Sequence, residues 1–135
     1  TLTSEAVIES IKEAERRNNV NAIIEIMKVK AADANVQEKA CWALRNLSMN
    51  AENQSRIAQA GGIEAVVSAM NRHENHADVQ EEACVVLYNT SSNAECKRRA
   101  IDAGAIPAIE AARRNHPNND EVQTEAADAL GQLRS

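Results

Sequence analysis

The chain has 135 residues, 44% of them hydrophobic, with 3 Cys, 1 Trp, 1 Tyr, no Phe and a formal net charge of -5. That length is enough to bury a core without metal or disulfide staples, and the acidic balance argues against DNA or RNA as a partner. The apolar residues are mainly Ala, Val, Ile and Leu, with 4 Gly and 2 Pro, which predicts an all-α protein.

In chain order, the first periodic segment runs from about Ser4 to Val29 as one continuous helix. Its charged residues Glu13, Arg16 and Arg17 read as a solvated face. A long helix follows in "VQEKACWALRNLSMNAE", residues 36 to 52. Next comes a short helix, "ENQSRIAQA", which ends at Gly61, a residue able to take the left-handed conformation that closes a helix. The helix "IEAVVSAM" and the polar loop "NRHENHAD" lead to a further long helix, with Asp78 placed to start it. The same order then returns, with Gly104, the loop "RNHPNND", Asp120 and a last long helix.

This return is an internal repeat. "VQEKACWALRNLSMNAE" aligns without a gap to "VQEEACVVLYNTSSNAE" 43 residues on, and "VQTEAADALGQL" follows after another 43. "AGGIEAVVSAM" likewise matches "AGAIPAIEAAR", and more faintly "NNVNAIIEIM". Three units of three helices, about 5–48, 49–91 and 92–135, make residues 1–135 a single domain with no room for a separate catalytic one. Asn18 stands where later units carry Gly, hence the expectation that the first two helices run together.

A helix advances about 100° per residue, which sorts the third helix into faces. Val36, Ala40, Ala43, Leu44 and Leu47 form one apolar stripe, whereas Glu38, Trp42, Arg45, Asn46 and Met49 point away from it. In the second unit Val79, Ala83, Val86 and Leu87 turn inward and Glu81, Val85, Tyr88 and Asn89 outward. In the third the outward set is Thr124, Asp128, Gly131 and Gln132. Stacking the units would align Trp42, Val85 and Asp128 in one column and Asn46, Asn89 and Gln132 in the next.

The pattern Asn53, Ile57, Gly61, Ile63 and the run "ACWALRNLS" resemble the armadillo repeat family, of the importin-α and β-catenin kind. The resemblance covers nearly the whole chain and implies a right-handed α-solenoid of about three repeats. Its third helices would line a concave groove that takes an extended peptide. Trp42 with Asn46 is similar to the Trp-x3-Asn pair of the importin-α branch, while Asn89 and Gln132 keep only the amide half. The chemistry suits that role. A carboxamide pairs with peptide C=O and N–H groups of any sequence, and an exposed indole offers area and cation-π attraction. Peptide-binding candidates are therefore Trp42, Asn46, Asn89, Arg45, Glu38, Glu81, Val85, Tyr88 and Gln132. Acidic groups around them favour a basic or neutral protein or peptide.

Plainer roles stand beside these. Trp42 would equally shield the seam between repeats, and Asn46 or Asn89 would bond a neighbouring side chain. The functional alternative is a structural scaffold, with weak self-association through the terminal repeats. No enzyme, cofactor or metal site is expected: the Cys residues lack a His partner, and "HENH" lacks the ligand set of a zinc site. No apolar run approaches the roughly 20 residues of a membrane helix. Three cysteines without CxxC spacing or a signal-peptide pattern predict an intracellular protein, cytoplasmic and/or nuclear. The opening on Thr1 suggests a processed or excised chain.

Overall fold

Nine α-helices and no strands make up the described residues, 3–135, of the computed structural model; the opening on Thr1 lies outside them. In order they are α1 (Ser4–Arg16), α2 (Val20–Val29), α3 (Ala34–Leu47), α4 (Ala51–Gln59), α5 (Gly62–Arg72), α6 (Ala77–Thr90), α7 (Ala94–Asp102), α8 (Ala105–Asn115) and α9 (Asp120–Leu133).

The first two helices are separate, contrary to the sequence expectation. Asn18 takes the left-handed conformation at φ +57°, as Gly61 does at +79° and Gly104 at +88°. Its side chain is held there, because Asn53 Nδ2 donates to Asn18 Oδ1 at 2.8 Å and to Leu47 O at 2.8 Å. Asn is among the few residues with a side chain that tolerate this backbone, so the chain turns here as it does at glycine.

The start of each long third helix also differs from expectation. The acceptors are Asp33 for the Val36 N–H, His76 Nδ1 for the Val79 N–H and Asn119 for the Val122 N–H, all at one repeat position. Asp78 and Asp120 lie inside the first turn instead, where a negative charge faces the free N–H groups of the helix end.

The same register closes the second helices. Gln37 Nε2 donates to Met27 O and Lys30 O, Gln80 Nε2 to Met70 O and His73 O, and Gln123 Nε2 to Arg113 O and His116 O. Each glutamine amide thus satisfies two carbonyls that the end of a helix leaves without partners. Between units, His73 Nε2 bonds Ala31 O and His116 Nε2 bonds Glu74 O, both at 2.8 Å, tying each loop to the one before.

The core is aliphatic and continuous through the three units. Ile23, Ile24, Met27, Leu44, Ile57, Ile63, Met70, Leu87 and Ile109 are buried, and both aromatic side chains stay out of it. Cys41, Cys84 and Cys96 are buried free thiols, and burial pushes the first two up to about 12. Glu13, Arg16 and Arg17 pair with one another at the surface, and hydrogen bonds from the two guanidinium groups hold the Glu13 carboxyl below its usual range.

The third helices α3, α6 and α9 lie side by side with the most extensive contacts in the molecule. α1 joins that layer. It has 13 residues where α4 and α7 have 9, and it packs chiefly along α3. Ser4 Oγ donates to Asp33 at the start of α3, and Glu15 accepts from Asn46 near its end, so the two helices run in the same direction. Val7, Ile11 and Ala14 bury the shared face.

Candidate functional site

The layer of α1, α3, α6 and α9 carries the outward side chains named from sequence. Trp42 is 45% exposed and Tyr88 41%, while Asn46, Asp128 and Gln132 are exposed. Glu38 and Glu81 are half-buried. Val85 departs from expectation: it is only 9% exposed, on a helix that lies between α3 and α9. The column therefore reads indole, covered valine, carboxylate.

The amide column differs along its length. Asn89 Nδ2 donates to Ser48 Oγ at 3.1 Å and to Arg45 O at 3.3 Å, so its donors already bind the end of α3. Asn46 Nδ2 donates to Glu15 Oε2 at 3.1 Å on the open surface, a bond that exchanges readily with solvent or a ligand. The side-chain amide of Gln132 is exposed at the far end.

Trp42 forms one wall of a pocket of about 320 Å³ between α1 and α3. Ile8 and Ile11 line its inner surface, and Lys12, Glu15, Glu38 and Glu82 surround it. The α1 contribution was not legible from the repeat, which assigns this helix to a different layer. The signal available was the spacing of Val7, Ile8, Ile11 and Ala14, an apolar stripe that begins a turn earlier than in the other short helices.

The charges of this face are unevenly set. Arg45 Nη1 bonds Glu82 Oε1 at 2.7 Å, with the Glu82 side chain mostly covered. That hydrogen bond, with Glu125 and Glu81 nearby, raises the Arg45 pKa. Glu81 has its carboxyl raised by burial first and then by the carboxylates of Glu82, Asp78, Glu121 and Glu125. The middle and far helices thus present an acidic surface with Arg45 set into it. Among the described residues no group of three or more His, Cys, Asp or Glu side chains is arranged to hold a metal ion, and no helix is long and apolar enough to cross a membrane.

Triplets of helices turned at a left-handed residue, with third helices stacked into one layer, define an α-helical repeat protein. Residues 18–49 and 50–92 each match the armadillo/beta-catenin-like repeat, which is more than half of the chain. The chain belongs to the armadillo-repeat family. Such repeats generally serve as protein-interaction or scaffold modules and are typically non-enzymatic. No curated protein and no solved structure matches the chain.

Proposed function

We propose that residues 1–135 form a single armadillo domain that binds an extended, basic or neutral peptide segment of a partner protein along a concave groove of its third helices. The observation that carries this reading is Trp42: a scarce aromatic left 45% exposed beside a pocket that α1, α3 and Glu82 of α6 line together. Trp42 is the anchor, Asn46 and Gln132 supply amides to the peptide main chain, and Tyr88, Glu38, Glu81 and Arg45 line the path. Val85 and the Asn89 amide, being covered and occupied, act as floor rather than as direct contacts. The acidic setting of Glu81 and its neighbours selects for positive charge in the ligand. A groove this short supports affinity on the order of micromolar. The three buried free thiols suit a reducing compartment, cytoplasmic or nuclear.

Trp42 fluorescence titrated with extended Lys/Arg-rich, neutral and acidic peptides tests the reading. A saturable change with the basic or neutral peptides, weakened by Trp42→Ala and Asn46→Ala, is expected. No response to any of them, with partner capture unaltered by both substitutions, overturns it.

A scaffold role with self-association is favoured by one observation at the far end. Ile101 is 45% exposed where its counterpart Ala58 is 1% exposed, and Ala127 is exposed where Cys84 is buried. Light scattering that rises with concentration and falls with Ile101→Glu supports this second reading; a strict monomer counts against it.

A further inference from the structure

The chain has 3 Cys and 3 Met, and of these six sulfurs five lie in the core. Cys41, Cys84 and Cys96 are buried, and Met27 and Met70 are 2% and 1% exposed. Burial pushes the thiols up to about 12, about 12 and about 11, which leaves no thiolate for an oxidant at neutral pH. Met49 is the opposite case. It is 75% exposed, just past the residue that caps α3.

Its surroundings give oxidation a structural consequence. Asn89 Nδ2, which already donates to Ser48 Oγ and Arg45 O, stands 3.5 Å from Met49 Sδ. Met49 and Asn89 share the lining of a depression of about 300 Å³ with Ser48, Gln54, Tyr88 and Gln132, where the ends of α3, α6 and α9 meet. A thioether is a weak acceptor, whereas a sulfoxide oxygen is a strong one.

We propose that Met49 is a redox modification site, converted by a hydroperoxide to the sulfoxide, whose oxygen then draws one Asn89 N–H away from Arg45 O, the longer of its two oxygen bonds, and makes this depression more polar. In that step a sulfur lone pair attacks the O–O bond, one oxygen passes to sulfur, and the second leaves with a proton as water or an alcohol. The sulfide is oxidised by two electrons and the peroxide reduced by two. Where a peptide lies across Tyr88 and Gln132, the change alters its affinity, a consequence that rests on the peptide-binding reading.

The test treats the folded protein with hydrogen peroxide and locates added oxygen by peptide mass mapping. Met49 gains one oxygen at least about tenfold faster than Met27 and Met70, and the three rates converge in denaturant. The Asn89 side-chain amide resonance moves in the nitrogen–proton correlation spectrum of the oxidised protein and stays in place in peroxide-treated Met49→Leu. Equal rates at the three methionines, faster uptake at a cysteine, or an unmoved Asn89 resonance overturns the proposal. Peptide affinity of the same samples is a separate readout: a shifted Asn89 resonance with no peptide bound in either state supports the sulfoxide contact and counts against the peptide reading.

Discussion

Asn46 on α3 donates its amide to Glu15 on α1 at 3.1 Å, while Asn89, its counterpart on α6, donates to Ser48 and Arg45 on α3. The two amides occupy the same place in the repeat, and α1 takes the position that a preceding third helix would hold. α1 therefore caps the flank of α3, covering it with Val7, Ile11 and Ala14.

Truncating that cap should be costly. Ile11 is 2% exposed, so Ile11→Ala loses about 2–4 kcal/mol of stability through lost burial and a residual cavity. As α1 loosens, Trp42 loses its Ile8 and Ile11 surroundings, and its emission shifts to the red. Urea unfolding followed by Trp42 fluorescence checks both; an unchanged midpoint with unchanged emission would count against α1 as a cap.

The glutamine bridges are the next expected weak points. Gln37→Ala or Gln80→Ala leaves two carbonyls without their shared donor and costs about 1–3 kcal/mol. Gln123 makes the same two bonds at a half-exposed site, where water replaces the lost donor, so Gln123→Ala costs less. Denaturant midpoints of the three variants give the order directly.

Gly62 is limited by space. A Cβ there would lie 2.7 Å from Ile24 Cδ1 and 2.8 Å from Ile57 Cγ2, so Gly62→Ala destabilises by about 1–3 kcal/mol through overpacking. The equivalent residue in the next unit is already Ala105, fully buried. Ile24→Val should recover part of the loss in the double variant, and a purely additive pair of effects would refute the Ile24 contact as a cause.

Glu81 sets a pH dependence whose sign follows from its raised pKa. Between its unfolded and folded values the native state binds more protons, so this group's contribution to stability is present at low pH and declines as pH rises through the folded value. Glu13, Asp33 and Glu95 work in the opposite sense, since their carboxyls are lowered and their contributions are lost as pH falls. Glu81→Gln should therefore raise the thermal midpoint at pH 7 more than at pH 4. Scanning calorimetry at both values checks this, and an equal shift at each would contradict it.

The sequence by itself determined the helical class, the 43-residue repeat, the glycine turns and the outward face of Trp42, Tyr88 and the amide column, because periodicity and repetition are local properties of the chain. Tertiary structure decided what a repeat comparison averages away. Asn18 turns the chain because Asn53, 35 positions later, holds its side chain. Val85 is covered where helical phase alone turns it outward, and Asn89 is occupied because α3 ends beside it. At the first unit, where no preceding third helix is present among the described residues, α1 was recruited to the exposed flank of α3, since an apolar surface is stabilised by whichever amphipathic helix can reach it. That placement gave Trp42 its pocket.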